Sequence, residues 1–231
     1  MQKENENRRS LENITTLIWD CDGTLWHHSD NEMDLLCNAL HLEKTKPLEE
    51  QYFQMLSNFQ DYFQDKIVTP KKMVEFIRKE MPILDYYNLS AAEFFEKWKS
   101  VETGQVDKDA KACLEKLSEK GYRNVVLTDW FMETQVMLLS KYELLQYIEA
   151  IYPLEGQYLK ADHRSFCRIF SDRTRLEEYI IIGDSLKSDI GFATHAGIAS
   201  IWYNSGKKEN TEKNLTPTFE VHTLLEICSI L

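Results

Sequence analysis

The sequence predicts an α/β fold: a parallel-sheet core interrupted, just after its first strand, by an inserted bundle of helices. Three observations predict it. The stretch Ile14 to Leu25 opens as an apolar, partly β-branched run and is bounded by Gly23, as a buried parallel strand and its turn would be. From about residue 27 to 104 the apolar residues recur at helical spacing and β-branched runs are few. Past Gly104 strand and helix alternate, which is the pattern of a parallel sheet with crossover helices.

The first strand carries Asp20 and Asp22 to its carboxyl end, where ligand sites form in open α/β sheets. Successive strand residues point to opposite faces, so the two acids project the same way and Cys21 turns from them. Paired acids repel, and the arrangement makes sense with a cation between or beside them. Gly23 lets the chain turn sharply there.

In the inserted segment, Asn31 to Leu42 places Met33, Leu36 and Leu40 on one helical face. Pro47 opens a second helix through Leu48, Tyr52, Met55, Leu56, Phe59 and Phe63. Thr69-Pro70 caps and starts a third, and Ser90-Ala91-Ala92-Glu93 is a capping box for a fourth with Phe94, Phe95 and Trp98. The aromatics are the core of this bundle, and His27-His28 at its start reads as a solvated hinge.

Beyond it, Asp107 is expected to cap a helix striped by Ala110, Cys113, Leu114 and Leu117, ended by Gly121. Arg123 to Leu127 is a strand ending in Thr128-Asp129-Trp130. Helices are expected at 133–140, 144–150 and 162–171, with a short strand at Ile151-Tyr152. Tyr179 to Ile182 is a buried strand ended by Gly183-Asp184-Ser185. A helix from Ser188 to His195, with Asp189 at its N-cap, leads to the strand Ile198 to Trp202, and Phe219 to Leu231 adds a strand and a closing helix.

With 38 acidic against 27 basic side chains, a net charge of -11 argues against a nucleic-acid polymer as partner. The polar opening, Met1 to Ser10, is no secretory signal, and no stretch is long and apolar enough to span a membrane, so a cytoplasmic location is expected. Five scattered cysteines without a Cys-x-x-Cys pair point to reduced structural thiols.

Asp20-Cys21-Asp22-Gly23-Thr24-Leu25 resembles the first motif of the haloacid dehalogenase-like (HAD) hydrolases, Asp-x-Asp-Gly-Thr-Leu. Val125 to Thr128 is similar to their second motif, with Asp129 where the family often has Asn. Lys160 matches the third, with Ala161 where Pro is frequent, and Gly183-Asp184 followed by Asp189 resembles the fourth. The resemblance implies a Rossmann-like core from residues 1–26 and 105–231, and an α-helical cap from 27–104 lying over the first strand's end.

It also implies a mechanism. Asp20 would attack phosphorus and form an aspartyl-phosphate. Mg²⁺ would be held by Asp20, the Asp22 backbone carbonyl and Asp184, with Asp189 as a further metal-site acid. Asp22 would be general acid and base. The Thr128 hydroxyl and backbone amide, with Lys160, would stabilise the phosphoryl oxygens, and Asp129 would stand with them as a substrate-binding group. The second acid, Asp22, separates this chain from the dehalogenases of the family, which lack it. The substrate implied is a small phosphorylated metabolite; a phosphosugar mutase and a non-catalytic phosphate-compound binder remain alternatives.

Overall fold

The structure, a computed structural model, describes residues 11–28, 32–101, 104–170 and 175–231. The opening segment, the expected helix start at Asn31 and the expected helix end at Ser171 lie outside them. In chain order the elements are β1 (Thr16–Trp19), β2 (Trp26–His28), α1 (Glu32–Leu40), α2 (Lys46–Phe63), α3 (Pro70–Glu80), α4 (Ala91–Ser100), β3 (Gly104–Val106), α5 (Ala110–Glu119), β4 (Arg123–Leu127), α6 (Met132–Lys141) and β5 (Ala150–Tyr152). They continue with β6 (Tyr179–Gly183), α7 (Gly191–Ala196), β7 (Ala199–Tyr203), β8 (Phe219–Val221) and α8 (Leu224–Ile230).

Six strands form one parallel sheet in the order β5-β4-β1-β6-β7-β8. The first strand is therefore central, between β4 and β6, and all four of its residues are buried. Alternation divides its side chains. Leu17 and Trp19 pack with α5, α6 and α8 on one face; Ile18 joins Val125, Ile181 and Phe192 on the other. Covered on both faces, these strands read as continuous apolar runs, which is why the sequence announces them.

One polar link crosses the buried face. Trp19 Nε1 donates to Asn124 Oδ1 at 2.8 Å, and Asn124 Nδ2 donates to Ser118 Oγ at 3.0 Å. A buried indole N–H must find such an acceptor.

The helices α1 to α4 bury a second core around Leu36, Tyr52, Met55, Phe63, Phe76 and Phe94, which also takes in Phe131, Leu154 and Leu159 from beyond the sheet's carboxyl edge. Their caps are those expected: Thr69 accepts the Lys72 N–H at 3.3 Å, and Ser90 and Glu93 complete a reciprocal capping box. The chain enters and leaves this segment through an antiparallel ribbon, Trp26↔Val106 to His28↔Gly104. His27-His28 is thus strand in backbone, and the half-exposed His27 brings Nε2 to 3.1 Å from the Asp107 carboxylate. Three-residue strands paired across 80 positions leave no periodic signal.

Other local expectations shift. Asp107 does not cap α5; Asp109 is at that position, and the Asp107 carboxylate accepts its N–H and the Tyr203 hydroxyl. The segment 144–150 holds only a 3₁₀ turn, Leu145–Tyr147, because the Glu149 N–H goes to Asn124 O and Ala150 joins the sheet. The segment from 162 is 3₁₀ helix over His163–Arg168, capped by Asp162. Ser188 to His195 divides into a π-helical turn, Leu186–Ile190, followed by α7. All five cysteines are free thiols, and the fold brings Cys113 and Cys228 Sγ to 3.7 Å. Among the described residues, no helix is long and apolar enough to cross a membrane.

The buried Trp19–Asn124 link yields a stability prediction. Asn124→Ala strands the indole N–H in the core and is expected to cost about 2 kcal/mol, read as a lower urea midpoint at unchanged slope. An unchanged midpoint contradicts the assigned link.

Candidate active site

Four adjacent strand ends supply the site. Asp20 and Asp22 follow β1, Thr128 and Asp129 follow β4, the Lys160 loop follows β5, and Asp184 to Asp189 follow β6. The sheet order alone therefore gathers residues up to 169 positions apart at one edge.

Asp20 is buried, with one oxygen accepting from Lys160 Nζ and the other from the Thr24 hydroxyl at 3.3 Å. The same ammonium donates to Asp189 Oδ1 at 2.7 Å, and Asp189 Oδ2 accepts the Ser185 N–H at 3.0 Å. Carboxylate oxygens of Asp20, Asp184 and Asp189 lie within 4.8 Å of one another. Burial pushes Asp20 and Asp189 up to about 7 against the pull of Lys160. Desolvation, then the Asp189 charge, pushes Asp184 up to about 6. Burial would depress the Lys160 ammonium, but Asp189 and Asp20 together hold it well above its ordinary value.

Two glycines make room for this crowd. Gly23 has φ +91°, and a Cβ there would lie 2.5 Å from the Asp184 carboxylate; one on Gly183 would lie 2.2 Å from that of Asp189. Both distances are far inside contact, so the turns need glycine for space as well as, at Gly23, for conformation. Trp202 Nε1 fixes Asp184 from behind by donating to its carbonyl at 2.9 Å.

Asp22 is held differently from Asp20. Its Oδ1 accepts from Trp26 Nε1 at 3.0 Å, and its Oδ2 from Gln135 Nε2 at 2.8 Å and, more weakly, the Thr128 hydroxyl at 3.5 Å. The Thr128 hydroxyl also accepts the Trp130 N–H. Its backbone N–H continues the β4–β5 ladder by donating to Tyr152 O at 3.2 Å, so the expected amide contact to a phosphoryl oxygen is already spent.

The Asp129 carboxylate accepts the Lys160 N–H at 2.9 Å, Arg168 Nη1 at 3.0 Å and the Ser188 hydroxyl at 3.3 Å. It therefore holds the lysine loop in place, and it also lines the cavity over the site. Asp189 lies inside the π-helical turn, and Ser185 caps that turn by accepting the Ser188 N–H; the N-cap reading of Asp189 is overturned because its carboxylate is turned to Lys160.

Two partners escaped the sequence. Gln135, fully buried, reaches Asp22 from α6 across 113 positions. Arg168 donates to Asp129, to Thr128 O at 2.5 Å and to Tyr152 O at 3.0 Å, tying the ends of β4 and β5 to the lysine loop. A lone arginine between Phe166 and Phe170 was the available signal; for Gln135 there was none.

Over the site opens a cavity of about 610 Å³, walled by these residues below and by α2, Trp98 and Trp130 above. Trp130 stands edge-on to Trp98, with ring centroids 4.6 Å apart.

The chain is similar to a pyrimidine 5′-nucleotidase, PynA, of Streptococcus pneumoniae (strain ATCC BAA-255 / R6), at 29% identity over 133 residues; the match spans 56% of each chain, little more than half the relative's length. It is similar to YfnB of Bacillus subtilis (strain 168) at 23% identity over 96% of this chain and 97% of that one. Among solved structures, magnesium-bound YfnB superposes with a TM-score of 0.72 at 20% identity, covering 95% of this chain and 99% of that one. A HAD phosphatase from Thermococcus onnurineus gives 0.62 at 19%, covering 94% and 97%. At these identities the structures carry the fold alone. A family model described as haloacid dehalogenase-like hydrolase matches residues 17–203, and this chain, an α/β hydrolase with the site at its strand ends, belongs to that family.

Proposed function

We propose that the protein is a Mg²⁺-dependent phosphatase that hydrolyses a small phosphomonoester through an aspartyl-phosphate on Asp20. The observation that carries the reading is the contrast between its two strand-end acids. Asp20 lies against a buried ammonium at the floor of the cavity, and Asp22, two residues on, is held by neutral donors. One is placed to meet phosphorus beside a cation, the other to carry a proton.

A magnesium ion fits the donor set. The clustered groups Asp20, Asp184 and Asp189 are all hard oxygen donors, and burial, with their mutual charge behind it, raises all three carboxyls, so a cation would relieve them. Asp20, Asp184 and the Asp22 backbone carbonyl would hold it, with Asp189 behind them through Lys160. When bound, Mg²⁺ offsets the repulsion between an anionic nucleophile and an anionic ester.

The protein's own residues carry the steps. An Asp20 carboxylate oxygen forms a bond to phosphorus as the phosphorus–oxygen ester bond breaks, and Asp22 delivers its proton to the departing alkoxide. Asp22 then takes a proton from the water that attacks the phosphorus of the acyl phosphate, which frees Asp20 and inorganic phosphate. The Lys160 ammonium and the Thr128 hydroxyl stabilise charge on the transferred oxygens, while Asp129 and Arg168 keep the lysine loop in register. Gln135 and Trp26 fix the Asp22 rotamer. The helices of 27–104 serve as the cap that shields the site from water. A cytoplasmic setting is supported by five free thiols.

With p-nitrophenyl phosphate, the wild type should turn over in Mg²⁺ and stop in a chelator, and Asp20→Asn should be inactive in both; activity surviving in Asp20→Asn, or a wild type indifferent to chelation, refutes the reading. Asp22→Asn is expected to lower kcat by about 100-fold or more. Gln135→Leu, which leaves Asp22 in place but frees its rotamer, should lower kcat about tenfold with little change in KM, the value of one lost hydrogen bond of ~1.4 kcal/mol. A change confined to KM would assign Gln135 to substrate instead.

A further inference from the structure

We infer that the leaving group of the ester is an uncharged molecule carrying a flat aromatic ring, a nucleoside or a plain aryl alcohol, rather than a sugar, a hydroxy acid or a second phosphate. The inference rests on the phosphatase reading and names its substrate class.

The cavity is larger than a phosphoryl group needs. At about 610 Å³ it lies within the range of sites that enclose a whole small ligand, roughly 300–1,000 Å³. Its upper wall is one face of α2. Tyr52, Phe53, Leu56 and Phe59 recur at spacings of three and four and all line it, between Glu49 and Gln60. That face runs for roughly 16 Å at the helical rise, so the space extends well beyond the aspartates.

The wall is apolar, and part of it is open. Phe53 is 55% and Leu56 37% exposed, while Met55 on the same helix is fully buried. Two neighbouring large side chains left open over a site mark a surface that a ligand covers. Beside α2 in the same wall, Trp98 stands edge-on to Trp130 and to Tyr52. Trp98 Nε1 and the Tyr52 hydroxyl both donate to Glu32 Oε1, at 3.1 and 2.5 Å. With their polar atoms engaged, these two buried rings back the wall, and Phe53, Phe59 and Trp130 present the open aromatic surface, which suits a planar ring.

Charge excludes the other classes. Glu32 and Glu49 line the cavity, and among the described residues the lining cations are Lys160 and Lys44. Lys160 is taken by Asp20 and Asp189, and Lys44 pairs with Asp34 at 2.9 Å and Glu49 at 3.5 Å. A second phosphate or a carboxylate would meet two glutamates without an unengaged lysine among the described lining residues, which disfavours the twice-phosphorylated sugar a mutase must hold. A sugar alone would leave the apolar face of α2 uncovered, whereas a nucleoside can set its ribose near the aspartates and its base against that face.

The test compares kcat/KM in Mg²⁺ for a pyrimidine and a purine nucleoside 5′-monophosphate, phenyl phosphate, glucose 6-phosphate, 2-phosphoglycolate and glycerol 2-phosphate. Calorimetric binding of the same esters to Asp20→Asn runs alongside. At least one ring ester should exceed every ringless ester by tenfold or more; whether nucleotides or phenyl phosphate lead identifies the source of the ring. Phe53→Ser, at a position 55% exposed and so tolerant, should raise KM severalfold for ring esters alone. A ringless ester turned over as well as any ring ester, or a Phe53→Ser effect equal on all, overturns the inference. If no ester is hydrolysed, tenfold tighter binding of ring esters to Asp20→Asn sustains the inference while the phosphatase reading falls, and equal or absent binding overturns it.

Discussion

The ammonium of Lys160, buried between Asp20 and Asp189, is the interaction on which the rest of the site depends. Three carboxylates within 4.8 Å cannot all keep their charge in a largely desolvated floor, and two of them are pushed up to about 7 even with the lysine present. Removing one partner of such a buried set leaves uncompensated charge, a cost of about 3–5 kcal/mol in other buried pairs. The fold accordingly clamps the lysine from every side. Its N–H is held by Asp129, its carbonyl accepts the Ser165 hydroxyl at 2.8 Å, and Arg168 locks Asp129 to the ends of β4 and β5. Nothing about that loop's own conformation would place an ammonium so accurately.

The division of labour follows from the architecture. The ends of β4, β1 and β6 are rigid because each of these strands is bonded on both sides, so groups that must meet phosphorus sit there. The wall that a leaving group would touch comes from α2 and α4, on a segment joined to the core by a three-residue ribbon. Such a segment can vary its aromatic lining without disturbing the aspartates, and reactions of one chemistry can thereby acquire different substrates.

Much of this was legible in the sequence, and the pattern of what was not has a physical cause. Asp20, Asp22, Thr128, Lys160, Asp184 and Asp189 stand out because each closes an apolar strand or precedes a turn, so the signal is local and dense. The α-helical caps at Thr69 and Ser90 are local in the same sense. Gln135 and Arg168 act on groups 113 and 39–40 positions away, and only the assembled sheet says that they meet. The further contacts of Asp129 are hidden for the same reason: its neighbour in sequence is Thr128, but its partners are Arg168, Ser188 and the Lys160 backbone. The π-helical turn at Leu186–Ile190 was taken for the start of an α-helix because the two share an apolar spacing over so few residues.

The central claim is that Asp20 is a nucleophile competent to carry a phosphoryl group. Beryllium fluoride, which binds a nucleophilic carboxylate as a mimic of its acyl phosphate, tests it without any assumption about substrate. Fluorine NMR of the wild-type protein with Mg²⁺ and beryllium fluoride should show a bound adduct that is absent from Asp20→Asn. No bound signal from a folded wild type, or the same signal from Asp20→Asn, would contradict the account.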